Sequence, residues 1–222
     1  MQRDTLVITD VDGTLVDSDR INYEVLLELL REHGYECYID KIVTALAEGI
    51  HFDTITSSLN ISRETRRAME NSLVDTVTKI EPKCISGVKR ALRRLRERGY
   101  NLAIATRNNT RITYYYLKKL GLTQFFQESL IICSDNFAHL KPSSAIVAEL
   151  LKRSGCNRAI MVGNSLKDII MAQNSNIPII YLHTHYRNST HDKTSTHDKS
   201  GIGKVGFDIA YNAHYDYERT YI

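Results

Sequence analysis

At 222 residues, with 42% hydrophobic and 25% charged residues, 11 Gly and only 3 Pro, the chain has the make-up of one globular domain with a modest insertion. Collagen-like, coiled-coil and wholly disordered architectures are excluded. The 29 Lys and Arg against 26 Asp and Glu leave a formal charge of +3, too weak a bias to single out a nucleic-acid or membrane partner. No apolar run approaches the ~20 residues of a membrane span and the opening residues carry no signal-peptide core, so a soluble, cytoplasmic protein is expected. Cys37, Cys84, Cys133 and Cys156 are scattered without a C-x-x-C pair, which reads as reduced thiols.

The first β-rich run, Leu6 to Thr9, is apolar on both faces, as buried parallel strands are. From Ser18 to Lys83 no strand pattern occurs and helix patterns follow one another. Asp19 can cap a helix carrying Ile21, Val25, Leu26, Leu29 and Leu30 that ends near Gly34, and Ser62 can cap a long one running towards Ile80. Pro82 punctuates the return. A helix follows from a Ser86 cap to a Gly99 stop, with Val88, Ala91, Leu92 and Leu95 on one face and a run of Lys and Arg on the other. Charges opposite an apolar stripe mark the solvated face of a packed helix, not a nucleic-acid surface. Strand, helix, strand, helix and strand are then predicted at Leu102 to Thr106, Thr110 to Leu120, Leu130 to Cys133, Ser143 to Lys152 and Ile160 to Val162, before an apolar run from Ile177 to Leu182.

This alternation predicts an α/β core with a doubly wound parallel sheet, formed by residues 1–17 and 84–222, and an inserted α-helical domain over 18–83. Residues 183–203 are rich in His, Thr, Ser, Asp and Lys and read as a mobile polar loop. The G-x-G-x-x-G match from Gly201 to Gly206 follows polar loop and opens no long helix, so it is a decoy for a dinucleotide site. The Tyr-rich end, with Tyr211, Tyr215, Tyr217 and Tyr221, points to no chemistry on its own.

In an open parallel sheet ligands gather beyond the carboxyl ends of the strands. The residues there are polar each time: Asp10, Asp12 and Thr14 after the first strand, Thr106, Arg107 and Asn108 at the second, Lys141 one loop after the third, and Asn164, Ser165 and Asp168 after the fourth. Asp10 and Asp12 lie two apart at a strand end, so both can face the crevice while Val11 turns inward. Paired carboxylates need positive charge, which a hard cation such as Mg²⁺ and Lys141 supply. Such a set suits phosphoryl transfer, one carboxylate attacking phosphorus and the other protonating the departing alkoxide.

The ordered motifs resemble the haloacid dehalogenase (HAD) superfamily, specifically its Mg²⁺-dependent phosphatases with a helical cap inserted after the first motif, over about Thr5 to Leu182. The resemblance implies that Asp10 is the nucleophile and forms an aspartyl-phosphate, and that Asp12 is the general acid and base. It further implies that Thr106 hydrogen-bonds the phosphoryl oxygens and that Lys141 holds nucleophile and phosphoryl charges together. Mg²⁺ would be held by Asp10, Asp12, Asn164 and Asp168. Asn164 departs from the family, which has an acidic residue there; the amide oxygen can ligate Mg²⁺ but brings no charge.

Asp12 favours a phosphate ester over a halide as substrate. A sugar-phosphate mutase shares the constellation, and a phosphonate hydrolase would want a cap lysine, for which Lys41 reads as an ordinary exposed helix residue. The turn holding Gly49 and His51 is the cap segment expected to read the leaving group, and Arg107 either helps bind phosphate or pairs with a surface carboxylate. The expected partner is a small phosphorylated metabolite, with no nucleic acid and no membrane. The alternative is a weak or silent binding or regulatory module, favoured by Asn164.

Overall fold

The computed structural model describes residues 4–35, 61–184 and 205–210. Six strands form one sheet: β1 (Thr5–Thr9), β2 (Asn101–Ala105), β3 (Ile131–Ile132), β4 (Arg158–Gly163), β5 (Ile179–Thr184) and β6 (Val205–Ala210), in the order β3-β2-β1-β4-β5-β6. The first five run parallel and β6 pairs antiparallel with β5, His183 facing Gly206. The helices are α1 (Asp19–Glu32), α2 (Arg63–Val77), α3 (Val88–Glu97), α4 (Thr110–Lys119), α5 (Ala145–Ser154) and α6 (Leu166–Asn174). Among the described residues no helix is long and apolar enough to cross a membrane.

Period-2 alternation splits the core in two. Val7, Leu102, Ile104 and Ile131 pack with Leu92 of α3 and Ile112, Tyr116 and Leu117 of α4. Leu6, Ile8, Ala103, Ala105 and Met161 face the other way, against Ile146, Val147 and Leu150 of α5 and Met171 and Ala172 of α6. Both faces are covered, so the parallel strands are apolar throughout. The fold is the expected doubly wound α/β sheet with an inserted α-helical cap.

The cap leaves and rejoins the sheet at one clasp. Val16 pairs antiparallel with Cys84, the Asp17 N–H donates to the Lys83 carbonyl (2.9 Å) and the Ile85 N–H to that of Leu15 (3.1 Å). Val25, Leu29 and Leu30 of α1 and Met69, Val74 and Val77 of α2 continue the first core cluster outward. The Tyr115 hydroxyl donates to the Ile80 carbonyl (2.6 Å) and Arg111 pairs with Asp75 (2.9 Å), tying the end of α2 to α4.

Local boundaries moved for identifiable reasons. Ser62 caps α2 as expected, its hydroxyl accepting from Thr65 N (3.0 Å). At α1 the N-cap position belongs to Ser18, not Asp19, and its side chain makes no cap because it is engaged elsewhere. Gly87, not Ser86, precedes α3. Leu130 closes a 3₁₀ turn rather than opening β3. The polar stretch expected from residue 183 begins as strand, because His183 and Thr184 complete β5 against β6. Residues 185–204 lie outside the described residues.

Candidate active site

β1 ends at Thr9, and the Asp10 N–H continues its ladder one bond further by donating to the Val162 carbonyl of β4 (2.9 Å). The carboxyl ends of β1 and β4 therefore meet where the order of connections reverses, the usual ligand position of such sheets. Beyond Asp10 the chain turns tightly: Leu15 N–H (2.8 Å) and Val16 N–H (2.9 Å) both donate to the Val11 carbonyl. Gly13 sits at φ +63°, and a Cβ there would lie 1.9 Å from Nδ2 of Asn164. Only glycine suits that backbone and that contact. The loops after β1 and β4 interlock there, the Thr14 hydroxyl donating to Oδ1 of Asn164 (3.2 Å).

Lys141 is the centre of the site. Its side chain is 2% exposed, and Nζ lies 2.8 Å from Oδ1 of Asp10 and 2.8 Å from Oδ1 of Asp168. Asp168 is fully buried, with its second oxygen accepting from the Ser165 N–H (3.0 Å) and hydroxyl (2.6 Å). Ser165 and Asp168 form the capping box that starts α6. A Cβ on Gly163 would meet Cγ of Asp168 at 2.4 Å, so glycine there is what lets the carboxylate lie against the strand end. Both oxygens of Asp168 are thus engaged by protein groups, which makes it the anchor of Lys141.

Charge shapes what this trio can do. Burial, then the Asp168 charge, push the Asp10 carboxyl up to about 7 against the pull of Lys141. Burial alone would lower the Lys141 pKa, but Asp10 and Asp168 outweigh it, so the ammonium stays charged. Oδ1 of Asp10 also accepts from the Val11 N–H (2.7 Å), so both of its protein contacts fall on that one oxygen.

Asp12 is held from two sides: Oδ1 accepts from the Ser18 hydroxyl and Oδ2 from the Asn108 amide (2.5 Å). Ser18 is fully buried at the foot of α1. Thr106 is buried, and its hydroxyl accepts from the Asn108 N–H (3.2 Å), fixing the loop after β2. Sequence reading missed Ser18 and assigned Asn108 no role. Neither has a diagnostic spacing, and Asn108 lies 96 residues from the carboxylate it holds.

Arg107, which follows Thr106, and Lys167, which precedes Asp168, are half-buried. Burial lowers the Arg107 pKa, against the opposing pull of Asp10. Burial and then the charges of Arg107 and Lys141 bring Lys167 down to about 8. Gly49 and His51, expected to touch the leaving group, and Lys41 lie outside the described residues.

The donor set suits a hard divalent cation. Asp10, the Asp12 carbonyl and the Asn164 amide are all oxygen donors, and burial together with the charges of Asp168 and Asp12 raises the Asp10 carboxyl against the pull of Lys141. Among the described residues no group of three or more His, Cys, Asp or Glu side chains is placed to hold a metal ion by itself.

Residues 7–182 match the family model for haloacid dehalogenase-like hydrolases. The chain is 34% identical over 191 residues to a phosphoglycolate phosphatase of Agrobacterium fabrum, covering 79% of this chain and 78% of that one. A phosphoglycolate phosphatase of Rhodobacter capsulatus is 29% identical over 202 residues, covering 82% and 86%. The crystal structure of CbbY from Rhodobacter sphaeroides in complex with phosphate superposes with a TM-score of 0.59 at 19% identity, over 78% of this chain and 84% of that one. The chain belongs to the haloacid dehalogenase-like hydrolase family, and within it groups with the phosphatases.

Proposed function

We propose that this protein hydrolyses a small phosphate monoester with the help of Mg²⁺, carrying the phosphoryl group transiently on Asp10. The observation behind this reading is the buried ammonium of Lys141, 2.8 Å from Asp10 and from Asp168, at the carboxyl end of β1. With Oδ1 of Asp10 held by Lys141 and the Val11 N–H, Oδ2 attacks phosphorus as the ester P–O bond breaks. Asp12 gives its proton to the departing oxygen. Water then attacks the aspartyl-phosphate, its proton returning to Asp12, and inorganic phosphate leaves. Thr106 and Lys141 hold the phosphoryl oxygens throughout.

Asp10, the Asp12 carbonyl and Asn164 would hold Mg²⁺, with Asp168 behind them, and the ion supplies charge to offset the phosphoryl oxygens. Residues 18–83 act as the cap over a core of 1–17 and 84–222. Gly49 and His51 read the leaving group and Arg107 assists phosphate binding. The names of the relatives, phosphoglycolate phosphatases and a CbbY crystallised with xylulose-(1,5)bisphosphate, favour a small phosphorylated metabolite as substrate.

Two outcomes check these roles. Asp12→Asn is expected to slow turnover by roughly 10² to 10⁴-fold, with the deficit shrinking for esters of good leaving groups such as nitrophenol. Asn108→Ala should give a smaller loss with the same leaving-group dependence, because it positions Asp12. A loss equal for all esters would remove Asp12 from the acid role.

Asn164→Asp restores a charged donor without changing shape, so half-maximal activity should need less Mg²⁺. The metal-free variant should melt lower, through repulsion with Asp10 and Asp168, and gain more from Mg²⁺. Indistinguishable Mg²⁺ titrations would place the metal elsewhere. If the native protein turns over no phosphate ester, with or without Mg²⁺, the silent-module reading takes over; Asn164, its amide oxygen occupied by Thr14, is what favours it.

A further inference from the structure

Ser18 stands at the head of a helix that it does not cap. At three other helix starts the side chain accepts from the first turn: Ser62 on α2, Asn109 on α4 and Ser165 on α6, with ψ of 150°, 167° and 154°. Ser18 has ψ −9°, and its hydroxyl makes no cap on α1. Ser144 before α5 makes none either, but it is exposed, whereas Ser18 is fully buried. A buried hydroxyl needs a partner inside the protein. For Ser18 that partner is Oδ1 of Asp12.

The two side chains that hold the Asp12 carboxylate differ in kind. Asn108 presents its amide nitrogen to Oδ2 (2.5 Å), a group that only donates. It is fixed from the core by Thr106 and by Ser134, whose N–H donates to the Asn108 carbonyl (3.0 Å). The Ser18 hydroxyl can donate to a carboxylate and, turned about its C–O bond, accept from a carboxylic acid. A contact that survives both forms suits a group that gives up a proton and takes it back. Ser18 is itself well held, because the preceding Asp17 N–H is bonded to Lys83 across the clasp and α1 begins at the next residue.

We infer that Ser18 is a positioning residue for the reaction, its hydroxyl holding Asp12 in the orientation from which it protonates the departing oxygen. This rests on the reading of Asp12 as acid and base. It adds that the residue from which the inserted helices leave the sheet also sets the aim of that acid, so its loss should be felt where the leaving group needs a proton.

The test compares kcat/KM, which covers the steps up to departure of the alcohol, for glycerol 2-phosphate and nitrophenyl phosphate on the full chain with Mg²⁺. Ser18→Ala should lower the value for glycerol phosphate about 10-fold or more, the loss of one hydrogen bond to a charged group, and that for nitrophenyl phosphate less than about threefold. In the Asp12→Asn background the same substitution should add less than about twofold, because Ser18 acts only through Asp12. An equal loss for both esters is what a merely structural serine gives, and it overturns the inference. So does a loss that persists in full beside Asp12→Asn, or no loss at all. Ser18→Cys, close in shape and a weak donor, repeats the comparison if the Ala variant fails to fold. Asp12→Asn separates the two failures. If it shows no leaving-group dependence, or the native protein turns over neither ester, the reading of Asp12 has failed; if it shows that dependence and Ser18→Ala does not, the inference about Ser18 alone has failed.

Discussion

Asp10→Asn is expected to abolish turnover, by on the order of 10⁴-fold or more, while the fold survives. An amide cannot attack phosphorus, and no other carboxylate can take over: Asp12 is held by Ser18 and Asn108, and Asp168 by Lys141 and Ser165. Stability should respond with a definite sign. The Asp10 carboxyl is raised from 3.8 to about 7 in the folded protein, first by burial and then by Asp168. Its ionisation therefore costs nothing below the unfolded value, costs progressively more as pH climbs through that window, and costs most above 7. The metal-free Asn variant should accordingly melt at the same temperature or higher at pH 8, and gain nothing near pH 3.5. Thermal melts at the two pH values, beside a steady-state assay with nitrophenyl phosphate, check both halves.

Lys141→Met should damage activity and stability together. Removing the ammonium leaves two buried carboxylates, Asp10 and Asp168, facing each other without a cation, and taking one partner from a buried ion pair typically costs about 3–5 kcal/mol. For a chain of this length that is a fall in Tm on the order of 10 °C. The Asp10 carboxyl, already raised, is raised further in the variant, so the deficit should be larger at pH 8 than at pH 5. Turnover should fall for every ester alike, since Lys141 serves the phosphoryl group and the nucleophile, not the leaving group. An intact Tm at pH 8 would contradict the placement of Lys141 between the two carboxylates.

Much of this was legible in the sequence because it is local or periodic. The buried strands announce themselves as short apolar runs, and the sheet rule then places Asp10, Asp12, Thr106, Lys141, Asn164 and Asp168 at one end. Contacts between distant residues were not legible. Ser18 looks like an ordinary N-cap candidate, yet its hydroxyl serves Asp12, and only the tight turn after β1 brings the two together. The surroundings of Asp168 also needed coordinates: the family resemblance implies that Asn164 and Asp168 are both metal ligands, and the structure adds that the Asp168 oxygens meet Lys141 and Ser165 as well. The strand β6 was overlooked for a different reason. Val205, Phe207 and Ile209 alternate as an edge strand should, but they follow a long polar stretch and share Gly206 with the G-x-G-x-x-G decoy.

The central claim is that the phosphoryl group passes through Asp10, and it is tested most directly by stopping a single turnover in acid and reducing the trapped species with borohydride. An aspartyl-phosphate is reduced to homoserine, leaving a mass change on the peptide that contains Asp10. The account predicts that this change appears on Asp10, only when substrate is present, and not on Asp12 or Asp168. Turnover that proceeds with no such modification, or with the modification on another residue, would contradict it.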